Sequence, residues 1–256
     1  MTSSPSKPAR IFGLKDIFTS INALGGVVAI AFCIEGKALY AGYALLVGYV
    51  LGDSLDGFVA RLTNTGNQFG AQFDAASDYL AQCIAPAGIV YLAYRDASFY
   101  AAVALASVLV LAGTIRHALF AVVPNRYPMA YFGMPRTVSS FLVIAFVNSA
   151  YIPAHLPGWR WVGAVLLVFL AVANLLPIPF RTHRGRKLKT WVKPFIAAYF
   201  VTTCITLVLR PRYVFDLTLV WMVAYSSASW LEMERSERAA FWDEARRWRA
   251  EIRAAR

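Results

Sequence analysis

Apolar stretches long enough to cross a lipid bilayer follow one another along almost the whole chain, and they restrict its fold more than any other feature. A spanning helix needs about 20 mostly apolar residues. Eight segments reach or approach that length, at roughly 17–35, 38–60, 70–94, 97–122, 136–153, 159–180, 191–209 and 213–233. Prolines mark several joints between them, including Pro124 and Pro128, Pro153 and Pro157, Pro177 and Pro179, and Pro211. The expected fold is all-α: a polytopic membrane helix bundle of about eight transmembrane helices in a single domain over residues 1–256. The composition agrees, being 59% hydrophobic and 15% charged, whereas soluble domains carry about a quarter of their residues as charges.

The basic balance, +11 from 25 Lys and Arg against 14 Asp and Glu, fits either a nucleic-acid partner or the cytoplasmic side of a bilayer. Sorting the bases by loop separates the two. Lys7, Arg10, Lys15, Arg61, Arg116, Arg126, Arg136, the run from Arg181 to Lys193 and seven arginines from Arg235 to Arg256 fall on one side of the partition. That side holds 20 of the 25, leaving only Lys37, Arg95, Arg160, Arg210 and Arg212 on the other. The positive-inside bias then places both termini, including the segment 1–16, in the cytoplasm, and the inner or plasma membrane of a prokaryote is the expected location. Nucleic acid is not needed to explain the charge.

The basic tail, residues 234–256, carries Phe241, Ala245, Trp248 and Ile252 at steps of four, three and four, which is one helical face. Its expected form is an amphipathic helix lying on anionic lipid, with a solvated or self-associating helix as the alternative. The N-terminus lacks a signal-peptide cleavage pattern, so the first span is expected to be retained. Cys33, Cys83 and Cys204 lie far apart in apolar runs, without metal-ligand or disulfide spacing, and read as buried small hydrophobes.

Four carboxylates stand inside two of the apolar segments, where ionisable groups are expensive and functional by default. Asp53 and Asp56 are three apart, and Asp74 and Asp78 four apart, so each pair shares a helical face. A polar turn from Thr63 to Gln68 folds the two segments into a hairpin with the pairs facing each other near its cytoplasmic end. Four converging carboxylates repel one another unless cations balance them. An all-oxygen donor set without His or Cys selects a hard ion such as Mg²⁺, Mn²⁺ or Ca²⁺, and two divalent ions make the site neutral. Two-metal clamps commonly serve phosphoryl chemistry. A cation pathway through the membrane is the reading from another class, but it needs acids along the path rather than at one end.

The pattern Asp53-x-x-Asp56-Gly57-x-x-Ala60-Arg61, eight residues, then Gly70-x-x-x-Asp74-x-x-x-Asp78 resembles the full signature of the CDP-alcohol phosphotransferases. The resemblance implies displacement of CMP from a CDP-linked lipid by the hydroxyl of an acceptor alcohol. It implies that Asp53, Asp56, Asp74 and Asp78 bind metal, two ions of Mg²⁺ or Mn²⁺, with Asp78 also the catalytic base. It further implies that Gly57, Ala60 and Gly70 accommodate the nucleotide, that Arg61 supports the site, and that the chain forms a homodimer.

Over roughly residues 17–190 the chain resembles the phosphatidylserine synthase branch, on Phe18-Thr19-x-x-Asn22-x-x-Gly25, Phe69-Gly70-Ala71-x-Phe73-Asp74, Ala85-Pro86-Ala87 and Phe132-Gly133-Met134-Pro135. Arg116 and Phe120 also fall where that branch has Arg and Phe, while Leu119, Ala121 and Arg136-Thr137 depart from it. The branch implies CDP-diacylglycerol as donor and L-serine as acceptor; glycerol phosphate, an inositol or its phosphate, and other amino alcohols are the alternatives. Arg116 and Arg136 are the candidate acceptor contacts, with His117 a second source of polarity. Thr19 and Asn22 either cap the nucleotide or hydrogen-bond between helices.

Overall fold

The structure, a computed structural model, describes residues 12–54, 68–125, 127–181 and 191–254. Within these, α1 runs Leu14–Ile34 and α2 Ala38–Gly48, the latter continuing through a π-helical turn at Tyr49–Asp53. α3 (Gln68–Tyr79) passes through a second π turn, Leu80–Ile84, into α4 (Ala85–Tyr94), and α5 covers Phe99–Val122. α6 (Arg136–Asn148), the single turn α7 (Ile152–His155) and α8 (Trp159–Leu175) come next. The chain ends in α9 (Val192–Leu209), α10 (Val214–Leu231) and α11 (Arg235–Ala254).

The protein is an all-α membrane bundle. Four of its described helical segments, Leu14–Ile34, Phe99–Val122, Val192–Leu209 and Pro211–Leu231, are long and apolar enough to cross a membrane. Ala38–Asp53, Arg136–Asn148 and Trp159–Leu175 are shorter apolar helices. On α1 the buried residues Lys15, Asp16, Thr19, Asn22, Gly26 and Ala29 recur at helical spacing, while Leu24, Val27 and Val28 on the other face are exposed, as a helix between protein and hydrocarbon requires. The core lies where α2, α4, α6, α8 and α10 meet, around Leu46, Ile89, Ile144, Leu170 and Phe215.

Small residues let α1 and α2 touch backbone to backbone. A Cβ on Gly52 would lie 2.5 Å from the Asn22 nitrogen and 2.8 Å from the Phe18 carbonyl oxygen. Any side chain there would push apart the two helices that carry Asn22 and Asp53.

Four expectations are corrected. The segment expected to be helical through residue 180 stops at Leu175, because Pro177 and Pro179 cannot continue the ladder. Pro179–Arg181 instead pairs antiparallel with Ala130–Phe132, as β2 with β1, Tyr131 opposite Phe180. Arg181, read as a loop charge, is buried in an ion pair with Glu237, whereas Lys193 of the same basic run is exposed on α9 and Arg184 to Lys189 lie outside the described residues. The segment expected to reach residue 153 ends at Asn148, where Asp216 accepts hydrogen bonds from the backbone nitrogens of Ala150 and Tyr151 at 3.0 and 3.2 Å.

The amphipathic tail is present as α11, but its apolar face meets protein rather than lipid. Phe241, Ala245 and Trp248 are buried against Val123, Ala130 and Phe132, and Trp248 Nε1 donates to the Val123 carbonyl at 3.0 Å. Cys83 is buried and Cys33 half-buried as expected of small hydrophobes, whereas Cys204 is exposed on α9 beside Val201, Ile205 and Val208. Its apolar surroundings are the membrane-facing surface, not the core.

Candidate active site

Asp53 closes the π turn that ends α2, and Asp74 and Asp78 lie one turn apart on α3. One carboxylate oxygen from each of the three lies within 4.8 Å of the others. Asp56, the expected fourth member, lies outside the described residues, as do Gly57, Ala60, Arg61 and the turn up to Asn67. A π turn inserts a residue into the helical ladder and re-aims the side chains beyond it, and such turns concentrate at functional sites. The apolar run Tyr49-Val50-Leu51 carries no sequence signal of it.

The carboxylates fit a divalent metal. Three acidic side chains this close repel strongly in a low-dielectric setting. The Oδ1 of Asp74 is buried and receives no hydrogen bond, a costly state that a cation relieves. Oxygen donors alone suit a hard ion.

Asp78 is held on its other side by polar groups from three elements. Asn22 Nδ2 on α1 and Gln82 Nε2 on the second π turn donate to its Oδ1, at 3.1 and 2.8 Å. Arg136, the first residue of α6, brings Nη2 to 3.8 Å from Asp78 Oδ2. The Nη1 of Arg136 is buried with no hydrogen-bond partner. Asn22 is thus engaged between helices. Gln82 was not anticipated, though its position four residues after Asp78 signalled a shared face.

Arg116 plays a different part. It is buried, and its guanidinium donates to the carbonyl oxygens of Phe132, at 2.9 Å, of Asn174 and of Gly133. These bonds hold the turn Phe132–Pro135 that delivers Arg136 to the site. Gly133 sits at φ +77°, and a Cβ there would come 2.6 Å from the Asn174 carbonyl oxygen, so the turn requires glycine. Asn174 Nδ2 donates to the Met134 carbonyl at 3.0 Å and closes the same turn.

Thr19 is buried and its hydroxyl donates to the Lys15 carbonyl of its own helix at 3.4 Å, while Gly70 is buried against the side chains of Lys15 and Asp16. His117 is exposed beside the Tyr79 ring, Leu119 is half-buried and Ala121 exposed. None of these last three lines the cavities beside the carboxylates.

Beside Asp53 lies a cavity of about 200 Å³, lined by Tyr49, Asp53, Ser54, Pro135, Thr137 and aromatic residues of α9 and α10. Nothing in the sequence pattern ties those last two helices to the aspartates.

A family model described as CDP-alcohol phosphatidyltransferase matches residues 13–173, more than half of the chain. The chain is similar to the CDP-diacylglycerol–serine O-phosphatidyltransferase of Methanocaldococcus jannaschii, 26% identical over 84% of this chain and 92% of the relative. It is also similar to the protein of that description from Helicobacter pylori, 28% identical over 89% of this chain and 94% of the relative. A third relative is the archaetidylserine synthase of Methanothermobacter thermautotrophicus, 32% identical over 57% of this chain and 62% of the relative. The cation-transport reading finds no support among these matches.

Proposed function

Because the chain belongs to the CDP-alcohol phosphatidyltransferase family, we propose that it transfers the phosphatidyl group of CDP-diacylglycerol to the hydroxyl of L-serine and releases CMP. The observation that carries this reading is the convergence of Asp53, Asp74 and Asp78 within 4.8 Å. The serine acceptor is supported by the activity that relatives along most of this chain are named for.

In the mechanism, Asp53, Asp56, Asp74 and Asp78 would hold two divalent ions, Mg²⁺ or Mn²⁺. Once bound, such ions neutralise pyrophosphate oxygens and make CMP a better leaving group. Asp78 takes the acceptor's hydroxyl proton while that oxygen bonds to the phosphatidyl phosphorus. The bond from that phosphorus to the CMP oxygen breaks, and CMP leaves with the electron pair. Asn22 and Gln82 fix the plane of the Asp78 carboxylate through its Oδ1. Arg136, with Nη1 still lacking a partner, is placed to receive the acceptor's carboxylate beside the base. Arg116 acts as a positioning residue behind Arg136. Gly57, Ala60, Arg61 and Gly70 form the nucleotide side of the site on the strength of the signature, and Thr19 borders it on the strength of the branch resemblance.

We place the site and both termini on the cytoplasmic side of a prokaryotic inner membrane, on the 20-to-5 division of basic residues. Eight spans follow from the eight apolar segments, each of which contains a helix. The homodimer rests on the family resemblance alone, and the mass of the detergent-solubilised protein tests it.

The deciding experiment incubates purified, metal-replete protein with CDP-diacylglycerol and a panel of L-serine, glycerol phosphate, inositol, inositol phosphate and ethanolamine, and identifies the lipid product. Phosphatidylserine with stoichiometric CMP is expected. A product formed from another alcohol, with serine inert, replaces the acceptor and leaves the chemistry standing.

A further inference from the structure

The cavity beside Asp53 is walled on its far side by Phe195, Ile196 and Phe200 of α9 and by Trp221 and Tyr225 of α10, with Tyr49 on the near side. Both wall helices lie beyond residue 173, where the match to the family model ends. About 200 Å³ falls below the usual range for a whole small-molecule ligand, so the space suits part of one.

The lining decides which part. Trp221 Nε1 donates to Thr202 Oγ1 at 3.1 Å, and the Tyr225 hydroxyl donates to the Arg181 carbonyl. With these polar ends engaged by the protein, the two side chains present ring surface to the cavity. Phe195 packs edge-on against Trp221 at 4.7 Å between centroids, and Tyr49 stacks on Phe200 at 6.1 Å. No Lys, Arg or His stands among the residues described as lining this space, so an acceptor carboxylate finds no cation here. The outward faces of the same helices carry exposed Val201, Ile205, Val220 and Val223, which places hydrocarbon directly behind the wall. The space is therefore mainly apolar, with the hydroxyl-bearing Ser54, Thr137 and Tyr199 also in its lining, and it runs from the Asp53 carboxylate toward helices whose outer faces are apolar.

We propose that this pocket holds the first carbons of one acyl chain of the CDP-diacylglycerol donor, so that α9 and α10 anchor the lipid next to the reacting phosphate. The inference rests on the proposed reaction for the identity of the donor, but not for the position of the chain.

Two measurements test it. In Ile196→Trp the added ring fills the pocket, and the ratio of KM for dibutyryl donor to KM for CDP-glycerol, which has no acyl chain, is expected to rise about tenfold, the loss of roughly two buried methylenes. A ratio equal to that of the wild type overturns the proposal, even if both constants change. The second measurement uses CDP-diacylglycerol brominated near the carboxyl end of one chain. Quenching of tryptophan fluorescence is expected in the wild type and is expected to drop in Trp221→Phe; equal quenching in the two proteins overturns the assignment. This arm decides the matter should Ile196→Trp fail to fold. If quenching is site-specific but no alcohol yields CMP, the pocket stands and the proposed reaction falls.

Discussion

The two flanks of the aspartate cluster are built from opposite chemistry. Around Asp78, three elements contribute an amide from Asn22, an amide from Gln82 and the guanidinium of Arg136, all within hydrogen-bond or ion-pair reach of one carboxylate. Around Asp53, the space is bounded mainly by rings, and the polar ends of Trp221 and Tyr225 are bonded to other protein groups. An enzyme that joins a lipid to a zwitterion needs one wall that replaces water for charged groups and another that replaces hydrocarbon for a chain. The carboxylates border both, and in the proposed reaction the phosphate of the donor lies beside them.

The largest test of this division is at the base. Asp78→Asn keeps the size of the side chain and an acceptor oxygen for Asn22 or Gln82, but loses the proton acceptor. CMP release is expected to fall by about 10²- to 10⁴-fold, with CDP-lipid binding, read by equilibrium binding of labelled donor, largely retained. Full turnover would remove the base from the polar flank and leave that flank as a binding wall only.

Arg136→Gln comes next. If the polar flank receives the acceptor, kcat/KM for serine should fall about 10- to 100-fold, as when one partner of a buried charge-assisted contact is removed. The KM for the donor should move far less. A loss falling mainly on the donor would show that Arg136 serves the pyrophosphate, and the division between flanks would then run on the other side of that residue.

Legibility in the sequence followed the range of the interaction. The carboxylates were readable because Asp74 and Asp78 are neighbours on one helix, and the helical segments because each is a local apolar run. The π turns at Tyr49–Asp53 and Leu80–Ile84 were not, since an inserted residue leaves the composition unchanged. The β1–β2 ribbon joins three residues to three across about fifty positions, too short for any periodicity to register. Arg116 and Arg181 counted as cytoplasmic charges, because a buried arginine looks like a loop arginine until its partners are placed. The tail's apolar face was read correctly as a face, but hydrophobic spacing says nothing about whether lipid or protein covers it. The aromatic pocket is legible only once α9 and α10 are brought back to Asp53, which lies well over a hundred residues earlier.

Arg116→Met tests the support of the polar flank rather than the flank itself. The substitution strips three carbonyl oxygens of a charged donor, and bonds of that kind contribute about 1.5–3 kcal/mol each. A loss of about 3 kcal/mol or more in unfolding free energy is expected, read from denaturant titration in detergent. Because the Phe132–Pro135 turn carries Arg136, serine KM should rise with it, and Arg116→Lys should recover part of both. A stable protein with normal serine KM would mean that Asn174 and the β1–β2 pairing hold the turn without Arg116.

The smallest expected effect is on the apolar flank and carries the sharper question. Trp221→Phe retains an aromatic face toward the cavity and removes the bond from Nε1 to Thr202 Oγ1, leaving that hydroxyl still donating to the Ala198 carbonyl at 2.7 Å. The stability cost should be about 1 kcal/mol, the net contribution of one neutral hydrogen bond. Donor KM should change by less than about threefold, since most of the buried apolar area survives. A much larger change in donor KM would mean that the indole nitrogen itself meets the substrate. The flank would then be an amphipathic wall reading the ester groups of the lipid, and the contrast with the Asp78 side would be one of charge rather than of polarity.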